Sequence, residues 1–130
     1  PLIIEDQTGV ENPLAARVVS TELAAHQPWP GMITLLDGLA AEFCTMRIMG
    51  SGTLTIVGPA LHRGVGAVVG QFSPIDHLAS LLIVAEAGGV VWDEDGQENL
   101  FPIKGGVMTA TQAAAGPLYK IWMQALAAQR

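Results

Sequence analysis

The stretch SPIDHLASLLIVAEAGG, residues 73–89, decides the fold, because it spells one helix from cap to stop. Ser73 can cap it, Pro74 suits its first position, and Asp76 stands three residues after Ser73, the spacing of a capping box. Leu78, Leu81, Leu82 and Ala85 recur at helical spacing, and Ile83 and Val84 widen the apolar face until only Ser80 and Glu86 read as polar. Gly88 or Gly89 supplies the left-handed residue that ends the helix. A helix this apolar belongs inside a layered fold, and an unpaired charge at the edge of a core is costly. Asp76 therefore reads either as a charge that favours the helix dipole, worth about 1 kcal/mol, or as part of a site.

Outward from this helix, strand and helix patterns alternate. Ala16 to Leu23 reads as a strand and Gln27 to Pro30 as its break. Met32 to Phe43 carries apolar residues at helical spacing, and Cys44 to Met49 reads as a strand. Leu54 to His62 reads as a helix that Gly58 and Pro59 kink or split. Val65 to Val69 is a strand between glycines. Downstream come a strand over Val90 to Trp92, an acidic turn at Asp93 to Gly96, a short strand over Val107 to Thr111, and a last helix over Pro117 to Ala128. That helix gathers Leu118, Ile121, Trp122 and Ala125 on one face. The pattern predicts an α/β fold, a mixed sheet with helices on its faces. Residues 1–15 read as a lead-in segment and residues 16–130 as one α/β domain.

Composition narrows the function classes. Half of the 130 residues are apolar, enough for a sizeable core, and twelve acidic residues against six basic ones give a net charge of −6. That balance argues against a nucleic acid partner, whose phosphates call for clustered Lys and Arg. Every apolar run is interrupted before it reaches a membrane span, and no leader is visible. The single Cys44 cannot form an internal disulfide and fits a reducing, cytoplasmic setting. It leads into an apolar strand and reads as core.

Several residues could carry chemistry. Gly50, Ser51, Gly52 and Thr53 lie between a strand and a helix, where backbone N–H groups can approach an anion or a hydroxyl. The plain alternative is a turn with Ser51 as the helix cap. No Lys follows to make a P-loop, and the third position of a dinucleotide fingerprint falls on Thr55. Asp37 beside Gly38 reads as a solvated face of a helix, and Asp93, Glu94 and Asp95 as a solvated turn rather than a calcium loop. His26, His62 and His77 have no metal-ligand spacing, and His77 is expected to point to a different face from Asp76.

Taken together, Arg47 to Leu54 (RIMGSGTL), Gly64 to Val69, and Pro74-Ile75-Asp76 through Gly89 resemble the inositol monophosphatase family. They follow the order and spacing of its C-terminal half, from Arg-x-x-Gly-Ser/Thr-Ala to Trp-Asp-x-Ala-Ala/Gly and Glu-Ala-Gly-Gly. Residues 16 to about 128 fit. The resemblance implies the C-terminal half of an αβαβα sandwich phosphatase that is Mg²⁺-dependent and hydrolyses a small polyol-type phosphate such as inositol monophosphate. It makes Asp76 a metal ligand and catalytic residue, gives Gly50, Ser51 and Gly52 the substrate-binding pocket, and leaves Glu86 structural. It also implies two partners for the chain, a missing N-terminal half and a second copy in a homo-oligomer.

Three departures from the pattern bear on the transfer of its site. Ile75 replaces the Trp before the Asp, Leu78 replaces the Ala two residues after it, and Val69 stands where the family has an acid that contacts substrate hydroxyls. Gln71 is placed to substitute for that acid in part. The family's Asp-Pro-x-Asp-Gly motif, which supplies most of the metal ligands, is absent. The expectation is a C-terminal portion that is inactive alone. The alternative is a degenerate, non-catalytic domain of the same fold that binds a ligand or partner.

Overall fold

The computed structural model describes Ile3, Ile4 and residues 11–129. The rest of the lead-in, with Asp6 and Gly9, lies outside the described residues. Five strands form one mixed sheet: β1 (Val18–Thr21), β2 (Thr45–Ile48), β3 (Gly66–Val69), β4 (Val90–Asp93) and β5 (Val107–Ala110), in the order β2-β1-β3-β5-β4. β1 runs parallel to both of its neighbours, β2 and β3, whereas β5 runs antiparallel to β3 and β4. The helices are α1 (Met32–Ala41), α2 (Gly52–Val57), α3 (Pro74–Glu86) and α4 (Gln112–Ala127). This is the expected α/β class with helices on both faces of a mixed sheet.

Successive strand residues point to opposite faces, so the sheet carries two cores. Val19, Val68 and Met108 pack with Leu35 and Leu39 of α1 and with Leu118 and Trp122 of α4. Val69, Val91 and Val107 pack with Ile56 of α2 and with Leu81 and Val84 of α3. Gly38 lets α1 and α4 close on each other, since a Cβ there would stand 2.6 Å from Ile121 Cγ2. Cys44 is buried in the first core, and burial pushes its thiol up to about 11. The second core is anchored in turn by Ile4, whose N–H donates to the Ala87 carbonyl.

Helix α2 passes into a 3₁₀ turn over Gly58–Leu61, the split expected where Pro59 has no N–H for an α-helical bond. At the far end of α3, Gly88 takes the left-handed conformation at φ 92°. Its N–H donates to Ala85 and that of Gly89 to Val84, the paired bonds that satisfy the last carbonyls of a helix.

Three expectations need correction. The last helix begins at Gln112, not Pro117: Thr111 caps it by accepting the Ala114 N–H at 3.3 Å, and Pro117 lies inside. Pro117 is exposed, so the interruption falls on the wet side of the helix, where water can serve the freed carbonyl. The capping box at Ser73 and Asp76 does not form, because the Ser73 side chain makes no capping bond. Finally, Gln27 to Pro30 does more than break a strand. It delivers Trp29 into the first core, with its indole N–H donating to Thr21 Oγ1 at 3.0 Å.

Candidate functional site

β1 leads into α1 on one face of the sheet and β3 leads into α3 on the other. Adjacent parallel strands whose connections part in this way leave a crevice at their carboxyl ends, the usual ligand position in such sheets. A depression of about 220 Å³ lies there. It is bordered by Glu22 and Leu23 after β1, Gly52 at the start of α2, Gly70 and Gln71 after β3, and Ser73, Asp76 and His77 at the start of α3, with Trp29 beside them. Gly70 is required there, because a Cβ would stand 2.5 Å from the Trp29 ring.

The fold thus brings Asp76 and Gly52 together from positions 24 residues apart in sequence. Two bonds tie the start of α2 to α3. Thr53 Oγ1 donates to the Asp76 carbonyl at 3.0 Å, and Ser80 Oγ donates to the Thr53 carbonyl at 3.1 Å. Asp76 is exposed, and its carboxylate faces water in the first turn of α3, where the helix dipole favours negative charge.

Gly50 and Ser51 are placed differently. The Glu22 carboxylate accepts the N–H groups of Met49 and Gly50 at 3.1 and 3.0 Å. The turn therefore does bind an anion through its amides, but the anion belongs to this chain. Ser51 Oγ accepts the Leu54 N–H at 3.3 Å and so caps α2. Of the three loop residues, Gly52 is the one that borders the depression.

His77 is buried, at 7 % exposure, whereas Asp76 is exposed, so the two lie on different faces of α3 as expected. Yet it borders the same depression as Asp76. Its Nδ1 accepts the Ser73 N–H at 2.9 Å, the bond that an acid three residues after the cap makes in a capping box. The imidazole thus takes the Ser73 N–H, and Asp76 is left to solvent. Burial holds the His77 pKa below its ordinary value, against the opposing pull of Asp76 and Glu22.

The remaining candidates stay apart from the crevice. Asp37 is exposed on α1. Asp93 turns its carboxylate onto the N–H groups of Asp95 and Gln97 and the amide of Asn99, and Glu94 accepts the Gly106 N–H. This acidic turn binds its own loop. His26 and His62 are exposed in left-handed turns. Among the described residues no group of three His, Cys, Asp or Glu is placed to hold a metal ion, and no helix is long and apolar enough to cross a membrane.

Sequence reasoning misses Glu22 and Trp29 as site residues and weighs His77 only as a metal ligand. Glu22 had one signal, its place just beyond the first parallel strand of an α/β sheet, where ligand-side residues gather. His77 had its spacing of four from Ser73. Trp29 had none beyond its size.

No family model matches this sequence, and no curated protein does. Solved structures do match. The Thermotoga maritima IMPase superposes with a TM-score of 0.79 at 22 % identity, over 93 % of this chain and 46 % of its own. The inositol monophosphatase of Anabaena gives 0.76 at 21 % identity, over 95 % of this chain and 50 % of its own. The extragenic suppressor protein SuhB of Bartonella henselae gives 0.73 at 25 % identity, over 87 % and 44 %. This chain spans about half the length of the structures it matches. It is therefore built like one half of an inositol monophosphatase, and the order of its motifs makes that half the C-terminal one.

Proposed function

We propose that this chain is the C-terminal portion of a Mg²⁺-dependent phosphomonoesterase that hydrolyses a small polyol-type phosphate such as inositol monophosphate, and that it is inactive alone. The observation that carries this reading is the meeting of Asp76 and Gly52 in the crevice between β1 and β3, in a fold that solved inositol monophosphatases share.

The residues fit one corner of a hard-cation site. Asp76 offers an exposed carboxylate, the oxygen ligand that Mg²⁺ takes, whereas Glu22 is already engaged by two N–H groups. Mg²⁺, when bound, would polarise the phosphate and lower the pKa of a water. Asp76 would hold one side of it, the backbone of Gly52 would line the pocket for the polyol, and Gln71 would offer an amide to its hydroxyls. The remaining acids would come from an N-terminal half. We assign to that half the exposed apolar face of α3, and to a second copy the same face when the half is missing.

The test is Mg²⁺-dependent hydrolysis of inositol monophosphate by a protein that joins this chain to its upstream sequence. Replacing Asp76→Asn there should lower turnover by about a hundredfold or more, since positioning and charge neutralisation carry most of phosphoryl transfer. Unchanged turnover would refute the role of Asp76.

A second reading, a non-catalytic domain that binds a ligand or partner, is favoured by one observation. Val69, at the position of the family's hydroxyl-binding acid, is sealed in the second core. An upstream sequence lacking Asp-Pro-x-Asp-Gly would decide for this reading, and one carrying it for the enzyme.

A further inference from the structure

His77 lies one residue from Asp76, and two contacts fix its ring. Nδ1 accepts the Ser73 N–H at 2.9 Å. A neutral imidazole with an accepting Nδ1 carries its proton on Nε2. The other contact is with Gly52, where a Cβ would stand 2.7 Å from His77 Nε2 and 2.9 Å from Cδ2, and 3.7 Å from Asp76 Cβ. Real Cβ atoms do not approach so closely, and Gly52 is not in a left-handed conformation that would demand glycine for its backbone. The missing side chain at Gly52 and the imidazole of His77 are therefore complementary. Phe72 also lies against the ring, tilted, with centroids 6.0 Å apart.

We propose that His77 is a positioning residue. Its imidazole, as the Nε2–H tautomer, is wedged between the starts of α2 and α3. It sets where the Asp76 carboxylate stands over the crevice, and Gly52 lacks a side chain to admit it. The wedge stands on the geometry alone, and its use rests on the reading of Asp76 as a metal ligand.

The test uses the 130-residue chain in four forms: unmodified, Gly52→Ala, His77→Ala, and both together. ¹⁵N spectra of the unmodified chain should show the His77 proton on Nε2. Gly52→Ala should lower the melting temperature by roughly 5 °C and move the Ser73 amide resonance. The same substitution should cost little once His77 is Ala, because the two sites are coupled. Mn²⁺, as the probe, should broaden the resonances around Asp76 in the unmodified chain, and less in Gly52→Ala and His77→Ala. If His77→Ala does not fold, His77→Asn, which keeps an acceptor for Ser73 but not the wedge, takes its place in every comparison. A proton on Nδ1, equal costs of Gly52→Ala in both backgrounds, or unaltered broadening in the substituted chains would overturn the proposal. No broadening near Asp76 in the unmodified chain would mean that the metal needs the acids of the N-terminal half, and the tautomer and the coupling would then decide the wedge.

Discussion

Helices α3 and α4 lie on opposite faces of the same sheet, and each buries an apolar stripe against it. Their outer faces differ. α4 turns Gln112, Lys120 and Gln124 to water, whereas α3 turns out Ile75, Leu78 and Leu82, at 96, 37 and 52 % exposure. One layer ends in a polar surface and the other in an apolar one. Contiguous exposed apolar faces mark interaction surfaces. The crevice residues Gly52, Asp76 and His77 all belong to this second layer. The exposed apolar face and the candidate-site residues Gly52, Asp76 and His77 thus belong to the same layer.

The contrast can be broken first inside the cores. Trp122 is fully buried, and Trp122→Ala should cost about 3–5 kcal/mol, enough to unfold a marginal domain, as chemical denaturation would show. Within α3, Leu81→Ala should cost about 2–5 kcal/mol, and its neighbour Leu82→Ala under about 1 kcal/mol. Equal costs would mean that α3 is covered on both sides. Next comes the outer face. Leu78→Glu with Leu82→Glu should change stability by no more than about 0.5 kcal/mol yet abolish self-association in sedimentation. A monomeric parent chain would leave the second copy without support. The finest comparison concerns two buried groups that have no hydrogen-bond partner among the described residues, one in each layer: Thr55 Oγ1 and Trp122 Nε1. Thr55→Val removes the smaller one at constant shape and should be neutral or stabilise by up to about 1 kcal/mol in a thermal melt.

The element order was legible because periodicity records burial. Val65 to Val69 and the apolar spacing of Met32 to Phe43 named their elements directly. The start of α4 was misread because Pro117 imitates a first helical residue, whereas Thr111 is the true cap. At the site, the meeting of Asp76 with the Gly50–Gly52 turn was visible only through the family pattern, since no local rule brings those segments together. Glu22 was illegible for a related reason: its partners, the N–H groups of Met49 and Gly50, lie 27 and 28 residues away. Burial alone could not be inferred for α3, where apolar residues all round the helix meet protein on one side and water on the other.

The sheet order also fixes when the chain can fold. β5 lies between β3 and β4 but is the last strand to be synthesised, and α4 follows it. A nascent chain that has not reached Ala110 has no strand to join Val90–Asp93 to the parallel trio. Until α4 emerges, α1 has no partner across its face of the sheet. Non-local pairings of this kind reward the chain only at the end. Assembly therefore awaits the synthesis of β5 and α4, and during that interval the apolar side of α3 is open to other chains and to chaperones.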